Sequence, residues 1–491
     1  MPIPPVEIEP ANVKLHAFDD IPHWRQDIFD KTLSSLEASF PREYGNVKLE
    51  LNDLNYNMKQ VTPDDEKDAR MKKKKLMVPV KGTVTLRDTL TNEVLDRVKN
   101  KTVLSVPYLT DRGTFEHNGS NYTSMRQARL LPGAYSRRKQ NGQLEVHYNV
   151  KPGSGRTFRV TFDPEKALFR MEIGGSNLKL YSVLKALGVE DDTLRKSWGD
   201  DIYATNAAAF DKRDANKLFS KLYPFDQETT DETERFQKIR EAIQGNIVLE
   251  STMQNTLGKF EKRSNSRADV ADRIRRLIKS SAAPLIRKVG LEDPDEQHLE
   301  IDDIIRGSYK LLAINRGEAK PDDRDALQYK RIYSTGDLIG ERVKIDANKT
   351  ARTLMRKLAK RRSLEYLPGN FLNNYTEGQL VGNQLSSPGE ETNPILLYDQ
   401  LFRITQMGPG GIGSDSAVTE SMQNVNPSEF GFLDPIAGPE SGRAGVDVRA
   451  THNSRLGSDG RIYQKFFNPR LKRYEWLNAR DLQGKALAFK D

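Results

Sequence analysis

Cysteine is absent from this 491-residue chain, which excludes disulfides, thiolate metal sites and cysteine nucleophiles. Histidine is scarce. The six (His16, His23, His117, His147, His298 and His452) are scattered, and none stands in an HExxH or HxH pair, so a structural zinc site is all but excluded. No apolar run approaches the ~18–20 residues that span a bilayer. The opening "MPIPPVEIEP" lacks the charged and apolar regions of a secretory leader. The expectation is a protein with no membrane partner that stays where it is made. Catalytic motifs are missing too: there is no GxSxG elbow and no protein-kinase signature set. Paired acids occur at Asp200 and Asp201, at Asp302 and Asp303, and around Asp322, Asp323 and Asp325. Their contexts resemble helix starts, where the macrodipole favours aspartate, and nothing marks them as a two-metal site. No catalytic constellation is expected in this chain.

Charge is plentiful. Charged residues make up 30% of the chain, with 77 Lys and Arg against 69 Asp and Glu, and mean hydropathy is −0.69. The composition describes a large wet surface, and the length suggests roughly two to four domains. A net charge of +8 is mild for this size and points to nucleic acid only where the basic residues cluster. Two clusters qualify for inspection. One is "RMKKKKL" at residues 70–76; the other is "NKTARTLMRKLAKRRSLEYL" at 348–367. The second reads as a basic helix with Leu354, Met355 and Leu358 as its apolar stripe.

Along the chain, a proline-rich arm precedes "DIFDKTLSSLEASFP", a short amphipathic helix by its spacing. Residues 76–107 alternate like two strands about the turn DTLTNE, and five further strand-like pieces follow to residue 175. Near residue 176 the period turns helical in "NLKLYSVLKALGV", with Gly188 as a helix stop. From there to about 345 the chain reads as charged helix, most clearly in "SRADVADRIRRLIKSSAAPLIRKVG" with Ser266 as cap. Residues 368–450 are rich in Gly, Pro, Asn and Ser, and 451–491 return to short strands.

Within the glycine-rich region, "RITQMGPGGIGSD" at 403–415 raises the question of phosphate binding. It is not a Walker loop, because that motif needs GxxxxGK[ST] and this stretch has no lysine. Pro409 also removes a backbone N–H where a phosphate cradle wants one. The strand and ribose-binding acid of a dinucleotide site are missing as well.

Residues 107–135, "PYLTDRGTFEHNGSNYTSMRQARLLPGAY", resemble the PLMTDxGTFxING stretch of the β subunit of multisubunit DNA-dependent RNA polymerase. Pro107, Leu109, Thr110, Asp111, Gly113, Thr114, Phe115, Asn118, Gly119, Gln127, Pro132 and Gly133 hold that pattern. The resemblance recurs in order at 158–188, at 319–343 ("AKPDDRDALQYKRIYSTGDLIGERV") and at 393–445. In the last stretch Asn393, Pro394, Arg403, Gly408, Pro409, Gly410, Gly411, Pro439, Glu440 and Gly445 are among the matches.

The resemblance implies an α+β, multi-domain architecture, that of the β-subunit N-terminal half. Residues 1–134 and 348–395 would form the protrusion, 135–347 the lobe, 396–450 the fork, and 451–491 the start of the external region. It implies that Gln127, Arg129, Gln400, Arg403, Gly410, Gly411 and Glu440 lie at the RNA–DNA hybrid. Glycines would let backbone approach nucleic acid closely, and Arg403 would reach a phosphate. No cofactor is expected on this chain, since magnesium in such polymerases is held by the β′-like chain. Expected partners are a C-terminal β-like chain, β′-like chains, a promoter-recognition subunit, double-stranded DNA template and RNA transcript.

The pattern is eroded in places. Phe402 stands where a second basic residue is expected before Arg403, Ser414 where an arginine is expected, and Gln400 where the family has a histidine. The C-terminal half of the family's motifs is missing. That combination resembles the split β subunits of giant, phiKZ-like bacteriophages, and implies the infected host's cytoplasm or the virion as location. A bacterial or plastid split, and a free-standing nucleic-acid-binding or virion structural protein with a polymerase-derived fold, are the other readings.

Overall fold

The computed structural model describes residues 7–58, 61–208 apart from 140, 150–157, 174–175, 182–183 and 185–188, and 301–488 apart from 366, 373–377, 379, 381 and 390–391. The helix expected after Ser266, and the stop at Gly188, lie outside these residues. The chain divides into two compact units, one made of residues 1–129 with 325–491 and the other of residues 130–324.

The second unit is a five-stranded antiparallel meander. Its strands Gly133–Arg138, Leu144–Asn149, Phe158–Asp163, Leu168–Ile173 and Ser176–Lys179 lie in chain order. Alternation decides which face is buried: Leu144, Val146 and Tyr148, then Phe158, Val160 and Phe162, all point into one core. The helix Ile301–Asn315 supplies Ile304, Ile305, Leu311 and Leu312 to the same core. Trp198 is buried against Phe169 and donates its indole N–H to Ser308 Oγ at 2.8 Å. One expectation is corrected here. Ser176–Lys179, read as the start of a helix, is a strand paired with Leu168–Ile173. The hairpin ladder outweighs the weak helical period of four residues.

The first unit is built from both ends of the chain. Strand Glu7–Ile8 pairs with Arg473–Asn478, and Leu15–Ala17 with Arg455–Gly457, within one five-stranded sheet. The expected hairpin appears as Met77–Asp88 and Val94–Pro107, in a sheet with Arg42–Tyr44 and Val47–Tyr56. Against this sheet pack the helix Ile21–Glu37, which starts six residues before the expected "DIFDKTLSSLEASFP" stretch and ends four residues before its end, and the long helix Thr335–Arg361. The long helix absorbs two sequence features at once. The "STGDLIGERV" motif is its start and the basic stretch from 348 is its continuation, so the 347/348 division falls inside one element.

Two glycines explain how the helices meet. A Cβ on Gly336 would lie 2.5 Å from Asp27 Oδ2, and one on Gly340 would lie 3.0 Å from the Lys31 carbonyl. Their spacing of four puts both on one face, so the backbones approach where a side chain would not fit. Ser334 caps the long helix through a capping box with Asp337. Lys31 Nζ bridges the crossing, 2.9 Å from Asp27 and 2.8 Å from Asp337.

Candidate nucleic-acid interface

Five short strands, distant in sequence, form one sheet in the order Lys330–Tyr333, Arg126–Leu130, Arg403–Thr405, Asp447–Ala450, Leu433–Asp434. Arg403–Thr405 runs parallel to Arg126–Leu130 and antiparallel to Asp447–Ala450. It delivers the chain straight into the glycine loop. Gly408 and Gly410 take positive φ values of 101° and 80°, a region that costs other residues strain. Gly408 N–H donates to the Ile412 carbonyl at 2.9 Å, and Ile412 N–H to the Gln406 carbonyl at 2.9 Å, which closes the loop on itself. Gly411 is also required by space, since a Cβ there would sit 2.4 Å from the Gln406 carbonyl oxygen.

Gln127 lies beneath this loop, fully buried. Its Nε2 donates to the Met407 carbonyl at 2.6 Å, and its Oε1 accepts from Arg129 Nε at 2.6 Å. Arg129 in turn donates to Glu341 Oε2 at 2.7 Å and stacks its guanidinium over Tyr333, 4.5 Å from the ring centroid. Both ends of the Gln127 amide are therefore occupied by protein, and Arg129 is 4% exposed. These two residues hold the loop in place from below. Thr405 adds a third tie, accepting from Met407 N–H at 3.0 Å.

Arg403 is different. It is half-buried and makes no side-chain hydrogen bond or ion pair among the described residues. Directly across the ladder stands Arg449, on the same face of the sheet, and Arg449 is taken up by Asp399 at 2.7 Å. Arg403 thus sits across from an arginine already neutralised by Asp399, while its own charge has no counter-ion among the described residues. Gln400 ends the helix Pro394–Gln400 with its Oε1 buried and without a hydrogen-bond partner. Glu440 is exposed on the loop after Leu433–Asp434. The structure therefore gathers Gln127, Arg129, Arg403, Gly410 and Gly411 around one sheet and its loop, with Gln400 just before that sheet's central strand.

One residue of this centre was not singled out from the sequence. Arg126 is buried between Phe18 and Trp24, 4.8 and 4.6 Å from their ring centroids. It donates to the carbonyls of Phe18, at 2.9 Å, and Leu401. Burial pushes its guanidinium down to about 10, against the pull of Asp27 and Asp19. It pins the N-terminal arm to the start of the Arg403 strand. An arginine three positions from another in "MRQARLL" carries no local signal of that role.

One acidic cluster is anchored in the fold through Asp322. Asp322 accepts from Ser136 Oγ and from Lys310 Nζ, both at 2.7 Å, and so does not fit a metal ligand. Among the described residues, no group of three or more His, Asp or Glu is placed to hold a metal ion, and no helix is long and apolar enough to cross a membrane.

No family model matches the chain. It is similar to curated proteins, however. Over 449 residues, 89% of this chain, it is 24% identical to the DNA-directed RNA polymerase subunit beta of Synechococcus elongatus, covering 38% of that protein. The subunit beta of Prochlorococcus marinus is 24% identical over 77% of this chain and 34% of its own length. That of Salinibacter ruber is 23% identical over 78% and 36%. The chain spans little more than a third of these relatives, and across most of its own length it is a region similar to the RNA polymerase β subunit.

Proposed function

We propose that this chain is the N-terminal β-like subunit of a bacteriophage multisubunit DNA-dependent RNA polymerase, the β subunit being divided between chains. The observation that carries the reading is the shared sheet. Motif segments that resemble the β subunit at 107–135, 319–343 and 393–445 each contribute strands to it, although Gln127 and Met407 are 280 positions apart. Chance similarity has no reason to place separate motifs edge to edge.

In this reading the unit 130–324 is the lobe, while the protrusion and fork come from residues 1–129 and 325–491. The role in nucleotidyl transfer is positional, which is how enzymes gain much of their rate. Arg403 contacts a phosphate of the RNA–DNA hybrid, and the glycine loop lets backbone approach it. Gln127 and Arg129 fix that loop, and Gln400, with an unmet buried acceptor, and Glu440 lie on segments flanking it. Magnesium, held by a β′-like chain, supplies the charge stabilisation of the reaction. The other partners are a C-terminal β-like chain, a promoter-recognition subunit, template DNA and transcript, within the infected cell or the virion.

Recovery of the tagged chain from infected cells tests this. The expected result is a complex with several large polypeptides that incorporates NTPs on a DNA template. A solitary, particle-associated chain without synthesis would instead identify a structural protein on a polymerase-derived fold.

A further inference from the structure

The long helix ends in a feature that the hybrid-binding role leaves unused. Residues 347–362 carry seven Lys and Arg and no carboxylate. Met355 and Leu358 fix one side of this segment in the core. Arg356, Lys357, Lys360 and Arg361 are exposed on the other side. We propose that this ladder is a docking surface for the phosphate backbone of duplex DNA.

Spacing makes the ladder self-repelling. Arg356 and Lys360, and likewise Lys357 and Arg361, are four apart, so two like-charged pairs stack one turn above each other. Such like-charge pairs destabilise a helix. Arg356, Lys357 and Lys360 make no hydrogen bond or ion pair among the described residues. The acids at this end do not neutralise them: Asp88 is taken by Arg362, and Glu365 is exposed beyond the helix.

The helix dipole accounts for part of the pattern only. It favours cations in the last turn, where Lys360 and Arg361 stand, but the effect fades within that turn and does not reach Arg356 and Lys357. A polyanion accounts for all four. Successive ladder rungs lie about 6 Å apart at 1.5 Å per residue. A duplex presents a phosphate every ~3.4 Å of axis on each strand, so each cation meets a different phosphate without distortion. The absence of any interleaved carboxylate or aromatic on this face suits backbone contact rather than base readout. The choice of DNA over an acidic polypeptide rests on the polymerase reading; the position of the surface does not.

The test is duplex binding by the full chain, followed by fluorescence anisotropy across a salt series, against Arg356→Gln/Lys357→Gln/Lys360→Gln. Glutamine is about as good a helix former as lysine, and removing like-charge pairs leaves Tm equal or higher. The expected result is an affinity loss of roughly tenfold or more at moderate salt. The slope of log affinity against log salt should drop by up to roughly three phosphates' worth. Unchanged affinity and slope overturn the proposal, as does a wild-type chain that fails to bind the duplex at low salt. Tighter binding of polyglutamate than of duplex also overturns it, in favour of an acidic protein. The polymerase reading fails separately: a ladder that binds DNA in a chain recovered alone, without RNA synthesis, upholds the surface and defeats that reading.

Discussion

At the residue scale, Gln127 and Arg403 occupy neighbouring strands and do opposite work. Gln127 engages both ends of its amide within the protein, on Arg129 and the Met407 carbonyl. Gln127→Ala leaves a buried guanidinium N–H and a buried carbonyl unmet, at about 1–3 kcal/mol for each unsatisfied group. The expected outcome is a Tm several degrees lower, read by calorimetry on the isolated chain, with nucleic acid unnecessary to see it. Arg403 has no side-chain partner to lose among the described residues. Arg403→Ala should leave Tm unchanged while weakening the assembled complex on its hybrid by about 1–3 kcal/mol. The salt dependence should flatten by roughly one phosphate. A lower Tm with an unchanged salt slope would mean that Arg403 belongs to the scaffold after all.

At the scale of elements, the crossing of Ile21–Glu37 with Thr335–Arg361 carries one half-buried charge cluster, Lys31 with Asp27 and Asp337. Burial drives the Asp337 carboxyl upward, but Lys31 outweighs it and holds the group below the ordinary aspartate range. Lys31 is raised despite its own burial, through Asp337 and Asp27. A carboxylate with a depressed folded value stabilises the protein above its unfolded value, near pH 4, and that contribution disappears as pH falls through the folded value. Asp337→Asn should therefore be less stable than wild type at neutral pH, with the gap closing as the solution is acidified below roughly pH 4. Thermal melts of both chains across this range check the sign; a gap that stays constant would show that Lys31 takes its stabilisation from Asp27 alone.

At the scale of the molecule, large apolar side chains stand in solvent: Ile436 is 89% exposed and Ile395 72%. Scattered exposed residues are ordinary, but these two lie on the segments that flank the site sheet. Among the described residues no group of three or more His, Asp or Glu is placed to hold a metal ion, and the expected outcome is that the homogeneous chain does not incorporate NTPs on any template. A radiolabelled incorporation assay with magnesium, with and without the co-purifying polypeptides, measures this. Robust synthesis by the single chain would falsify the positional role proposed for it.

Local pattern reached far into this protein. The 76–107 hairpin, the helical stretch from Asp27 to Glu37 and the strands between 104 and 175 follow from local periodicity and turn residues, because burial on one face imposes the period directly; the helix's first turns, from Ile21, were not legible that way. The glycine loop could be separated from a nucleotide cradle by the missing lysine and by Pro409 alone. Sequence order also carried the resemblance that led to Arg403. What it could not decide was which polar side chains remain unpaired. Gln127 and Arg403 look equally suited to a nucleic-acid surface until the parallel pairing of Arg126–Leu130 with Arg403–Thr405 buries one and leaves the other half exposed. Arg126 was invisible for the same reason, since Phe18, Trp24 and Leu401 reach it only through long-range packing. Periodicity is a property of neighbours along the chain; hydrogen-bond satisfaction belongs to neighbours in space, and those are set only when distant strands close into one sheet.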